Sequence, residues 1–88
     1  LTVMFSSIKE EELNKCAIGI VGILKSDNKF KKSTIIGPTD PSVVKVKDYY
    51  RKLVYIKNTN YDILLEIQKI IERNIGFYKG VGAVYDFN

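Results

Sequence analysis

The sequence predicts an α+β domain in which two helices cover one face of a four-stranded antiparallel sheet. Three observations carry this: two apolar stripes recur at helical spacing, residues 50–57 alternate clearly, and clusters of glycine, proline and asparagine separate these segments. The 88 residues suit a single domain spanning 1–88. A chain of this size buries only about 60 to 65% of the surface its unfolded form exposes.

Residues 1–5 form a short apolar run of strand formers. Ser7 and Glu10 have the spacing of a capping box, and Glu10, Glu11 and Glu12 bring negative charge to a helix N-terminus, where the macrodipole favours it. Leu13, Cys16, Ala17, Ile20, Val21 and Leu24 then make one helical face. Gly19 and Gly22 each cost a helix about 1 kcal/mol relative to alanine, which points to close packing of this helix on the sheet. Ser26, Asp27 and Asn28 close it in a polar turn.

Residues 31–37 read as a second strand, stopped at Gly37-Pro38 because proline has no N–H to pair. Residues 39–48 contain Pro41 and little periodicity, and are expected to form an extended loop or strand arm. In residues 50–57, Val54 and Ile56 take one face while Arg51, Leu53, Tyr55 and Lys57 take the other. Asn60 or Thr59 caps a second helix whose apolar face is Leu64, Ile67, Ile71 and Ile75 and whose end is Gly76. A last strand over residues 81–87 puts Ala83, Tyr85 and Phe87 on one side. The order is strand, helix, strand, strand, helix, strand, the βαββαβ pattern of a ferredoxin-like sandwich, which leaves one sheet face open.

Composition narrows the function. With 45% apolar and 27% charged residues, neither disorder nor a disulfide scaffold is indicated. The lone Cys16 can form no internal disulfide and supply no zinc site by itself, and it reads as a buried residue of a cytosolic protein. No apolar run reaches the roughly 20 residues of a membrane span, and no basic leader precedes the first apolar stretch. The chain begins at Leu1 and ends on an apolar-rich segment, as expected of a piece of a longer protein. The net charge of +4 is unevenly spread. Residues 25–57 hold nine basic residues against three acids, a net of +6, while the remainder is net −2. That concentration suits a polyanion-binding surface and equally a lysine-rich solvated one.

Catalysis has little to build on. Histidine is absent, Cys16 falls on the buried helix face, and the acids are scattered. The glycines of GIVG (residues 19–22) and GVG (residues 80–82) lack the lysine and hydroxyl residue of a phosphate-binding loop. Nucleic-acid binding has more. Lys45, Lys47, Arg51, Lys52 and Lys57 interleave with Tyr49, Tyr50 and Tyr55, combining cations for phosphate with flat faces for unpaired bases. The same residues also fit a sheet that tyrosines merely cover and lysines solvate.

Taken in order, Gly37-Pro38, Lys45 between valines, and Tyr50-Arg51-Lys52-Leu53-Val54-Tyr55-Ile56-Lys57 resemble the C-terminal domain of the primosomal protein N′ (PriA) helicase family. The ending Val84-Tyr85-Asp86-Phe87-Asn88 is similar to that family's terminal strand. The likeness covers residues 37–88; over residues 1–36 only the order of elements agrees. Pro41-Ser42 stands where the family often has alanine, and Lys47 and Tyr49 are not fixed family residues. The resemblance implies a βαββαβ domain that binds branched DNA at stalled replication forks in the bacterial cytoplasm, at the nucleoid. It further implies a parent ATP-dependent 3′–5′ helicase that uses magnesium and zinc, contacts single-stranded DNA-binding protein and primosome proteins, and restarts replication. No cofactor is expected in this chain.

The site residues expected on this reading are Lys45, Lys47, Arg51, Lys52 and Lys57 on phosphate, with Tyr50 or Tyr55 stacking on exposed bases of branched or single-stranded DNA. A second expectation is a docking domain whose sheet packs on the helicase core of the same chain or on a primosome partner, through Leu53, Val84 and neighbouring aromatics. RNA binding by the same topology stays open, since phosphate charge and base stacking do not separate RNA from DNA.

Overall fold

The computed structural model describes residues 1–87; the part of the terminal resemblance that falls on Asn88 lies outside them. The elements are β1 (Thr2–Ser7), α1 (Glu10–Ser26), a turn of 3-10 helix (Asn28–Phe30), β2 (Thr34–Thr39), β3 (Lys45–Val46), β4 (Tyr49–Lys57), α2 (Tyr61–Ile75) and β5 (Gly82–Asp86). They form an α+β domain with one antiparallel sheet of five strands, ordered β2-β4-β1-β5, with the short β3 paired to β4. The expected four strands are present, and β3 is an addition.

Alternation decides which face is covered. Val3 and Phe5 of β1 and Val54 and Ile56 of β4 are buried, and they share one core with Leu13, Ile20 and Leu24 of α1 and Leu64, Ile67 and Ile71 of α2. Each such side chain contributes about 1.5–3 kcal/mol by leaving water. Cys16 and Ala17 complete the buried face of α1 as the helical spacing requires. Phe30, outside any periodic segment, joins the same core from the 3-10 turn.

Three local expectations are corrected. Ser7 makes no capping box: it is fully buried, and its Oγ accepts the Lys9 N–H at 3.0 Å, while Lys9 itself stands at the cap of α1 without a side-chain bond. Gly37-Pro38 does not stop β2. The strand runs through a bulge, with Ile36 opposite Tyr55 and Thr39 opposite Leu53, so the pair without a proline N–H occupies the irregular positions. Gly37 has φ 120°, and a Cβ there would lie 2.7 Å from the Leu53 carbonyl oxygen, so only glycine fits. The extended loop or strand arm expected over residues 39–48 takes the strand form at Lys45–Val46, which folds back on β4 as β3. Gly22 packs on nothing: a Cβ there meets open space, and only Gly19 makes room for a neighbour, the Tyr78 phenol.

The second helix begins as expected, with Asn60 Oδ1 accepting the Asp62 N–H at 2.9 Å. It ends at Gly76 in right-handed helical conformation, φ −63°. No helix among the described residues is long and apolar enough to cross a membrane.

Candidate nucleic-acid interface

Val46 pairs with Tyr49 and Lys45 with Tyr50, which leaves Lys47 and Asp48 as a two-residue hairpin loop. Both loop residues have positive φ, 48° and 71°, the backbone of a type I′ turn, whose twist matches that of the flanking strands. Residues 42–49 are exposed throughout. The result is a two-stranded ribbon with a lysine at its tip. The sequence lacks the Asn-Gly that usually announces such a turn, so the hairpin was not legible.

Lys45 lies over the Tyr50 ring, its Nζ 5.0 Å from the centroid, and 4.0 Å from the Asp48 carboxylate. An exposed pair of that length contributes little. Lys47 enters no ion pair among the described residues and faces solvent. Tyr49 is half exposed (51%), whereas Tyr50 packs partly against the core, leaving Tyr49 the more available stacking face of the two.

The remaining expected residues do not gather with these. Arg51 reaches back along β4: its guanidinium donates to the main-chain carbonyl of Val43, a second terminal nitrogen is 3.7 Å from Met4 Sδ, and Nε is buried without a partner. The Arg51 N–H donates to the Val44 carbonyl at 2.9 Å. Lys52 falls on the helix-side face by alternation and pairs with Asp40 at 2.5 Å, its side chain only 24% exposed. Tyr55 lies on the open face opposite Thr2 and Ile36. Lys57 stands at the far end of β4, about 26 Å from Tyr49 over a nine-residue strand.

The open face between these ends is apolar. Leu53 is opposite Met4, which is opposite Val84, and Ile36 is opposite Tyr55 in the next row; Ile36 is 46% and Val84 61% exposed. Among the described residues two groups have shifted ionisation, Cys16 in the core and Tyr85 packed against it. Burial, with Glu12 adding, pushes the Cys16 thiol up to about 11. Burial, with the Glu72 carboxylate beside it, raises the Tyr85 phenol. Among the described residues no group of three or more histidine, cysteine, aspartate or glutamate side chains is placed to hold a metal ion.

No protein-family model matches the chain, and no curated protein matches it either.

Proposed function

We propose that this chain is a DNA-binding module, of the kind that forms the C-terminal domain of a PriA-type replication-restart helicase, and that it engages DNA through the β3–β4 hairpin. The single observation behind this reading is the ribbon itself, which carries Lys45 and the exposed Tyr49 on its two strands and Lys47 in the loop at its tip. Lysines neutralise phosphates with release of counterions, and an exposed tyrosine offers a stacking platform. A two-stranded ribbon also has the dimensions to enter a major groove. On this reading the sheet order is that of a ferredoxin-like domain, with β3 added ahead of β4. The chain binds and positions branched DNA, and the ATP, magnesium and zinc chemistry belongs to the rest of the parent helicase.

The order of residue types in residues 37–57 supports this reading alongside the localised charge. Within the proposed interface, Lys45, Lys47 and Tyr49 contact DNA directly. Arg51 holds the ribbon against the sheet, and Lys52 is held by Asp40.

Fluorescence anisotropy with forked, duplex and single-stranded DNA, and with single-stranded RNA as a parallel arm, tests it across a salt series. Lys45→Ala with Lys47→Ala is expected to weaken binding and reduce the salt slope by about 2. Salt-independent binding, or a double variant that binds like the wild type, overturns it. A preference for RNA moves the assignment to that polymer.

A second reading has its own observation. The open face, with Ile36 and Val84 exposed and Tyr55, Leu53 and Met4 half-buried between them, suits docking on the helicase core or a primosome protein. It is compatible with the first, because the hairpin and the open face are different surfaces.

A further inference from the structure

At the end of the sheet away from the hairpin, a cavity of about 900 Å³ opens between the 3-10 turn, the end of β4 and the start of α2. Its lining includes four lysines, Lys29, Lys31, Lys32 and Lys57, and no aspartate or glutamate. All four are exposed, and none is in an ion pair among the described residues. The nearest acids in sequence, Asp27 and Asp62, are not in the lining. Four lysines share this lining with no carboxylate among them, so the local potential is positive and attracts an anion.

The floor is different in kind. Ile56, Ile63, Leu64 and Phe87 line it, and the Phe87 ring lies 5.4 Å from that of Tyr61 at a tilt of 50°. Polar groups are present at the wall. The side chains of Asn58 and Asn60 are occupied within the chain, by Ser33 and the Asn60 N–H and by the Asp62 N–H respectively. Asn28 and Thr59 bring an amide and a hydroxyl to the same wall. A cationic rim beside an apolar floor, with a few hydrogen-bonding groups at the wall, is complementary to a nucleotide, whose phosphate is anionic and whose base is flat.

We infer that this cavity is a second nucleic-acid site that takes a phosphate-bearing nucleotide. The lysines hold the phosphate and the Ile63–Phe87 floor receives the base. The inference deepens the DNA-binding reading and rests on it only for the source of the nucleotide, a strand segment rather than a free mononucleotide. The cavity falls within the roughly 300–1,000 Å³ range of small-molecule sites, large enough for more than one nucleotide. It lies at the opposite end of β4 from the hairpin, so a strand engaging both would run along the sheet.

The test is titration of the ¹⁵N-labelled chain with 5′-phosphorylated dithymidine, AMP and inorganic phosphate in separate arms, read by amide chemical shifts. The dinucleotide is expected to move residues 28–32 and 57–63. Lys31→Ala with Lys32→Ala is expected to weaken it about fivefold or more, and Lys45→Ala with Lys47→Ala less than about twofold. AMP binding as tightly at the same residues keeps the site and assigns it to free nucleotide. Absence of shifts in those segments, or equal shifts with phosphate alone, overturns the inference. Loss of forked-DNA binding on hairpin substitution bears on the hairpin and leaves these shifts unchanged.

Discussion

Arg51 on β4 donates through its guanidinium to the main-chain carbonyl of Val43, eight residues earlier, and so ties the loop before β3 to the open sheet face. A planar fork can hold that carbonyl while its other nitrogen lies against Met4 Sδ; a lysine cannot do both. Arg51→Ala is expected to lower stability by about 1–2 kcal/mol, the range for a charge-assisted bond that is partly exposed. Arg51→Lys should retain the positive charge and the salt slope of DNA binding, yet speed amide exchange at Val46 and Arg51. Equal exchange in wild type and Arg51→Lys would assign Arg51 to DNA contact instead of anchoring.

The helix α1 contains two glycines in unlike surroundings. A Cβ at Gly22 meets nothing within 4 Å, so Gly22→Ala should raise stability by about 0.5–1 kcal/mol through helix propensity and the unfolded-state entropy it removes. At Gly19 the same Cβ would lie 2.2 Å from Tyr78 Oη, and the phenol must move. Gly19→Ala is therefore expected to gain nothing or to destabilise, and the difference between the two should narrow in a Tyr78→Phe background. Urea unfolding of the four variants is sufficient to check this.

These residues also show what can be read from sequence and what cannot. The faces of β4 and of both helices were legible because Val54 and Ile56, or Leu64, Ile67 and Ile71, repeat with the period of their own element. Ser7, Phe30 and Gly37 were not, because their roles follow from individual contacts: Ser7 accepts the Lys9 N–H, Phe30 enters the core from a 3-10 turn, and Gly37 lies against the Leu53 carbonyl. The site divides the same way. The positive charge of residues 25–57 was visible, but pairing of Lys52 with Asp40 removes one cation from it, and the tie to Val43 fixes another. The cavity takes Lys29, Lys31 and Lys32 from one segment and Lys57 from another 25 or more residues away, so neither segment alone marks it.

Cys16 is fully buried between α1 and the sheet, and its thiol titrates near 11 against an ordinary value of 9.0, through burial first and Glu12 second. The thiolate is the reactive form, so labelling at pH 8 should be slow in the folded chain and should follow unfolding as urea is added. The linkage has a definite sign. A thiol whose folded value is raised contributes stability fully present below about 9 and lost as pH rises through 11. Cys16→Ala should therefore flatten the fall in stability between pH 9 and 11 relative to wild type. Identical slopes would remove Cys16 as its source.

The turn at the ribbon tip offers the sharpest separation of structure from binding. Lys47 and Asp48 both adopt left-handed backbone, at φ 48° and 71°, which disfavours any residue with a Cβ by roughly 1 kcal/mol each. Asp48→Gly relieves that strain, and it also removes the carboxylate 4.0 Å from Lys45. Stability should rise by about 0.5–1 kcal/mol, while binding of forked DNA should tighten, because the ribbon is better ordered and the tip is one negative charge poorer. Lys47→Gly relieves the same strain but removes a cation, so its stability should rise as well while its DNA affinity and salt slope fall. Opposite effects on binding from two substitutions with the same effect on folding identify the hairpin tip as a DNA contact. Parallel effects on binding would show that the ribbon responds only to its own rigidity, and would leave Lys47 as a solvated turn residue.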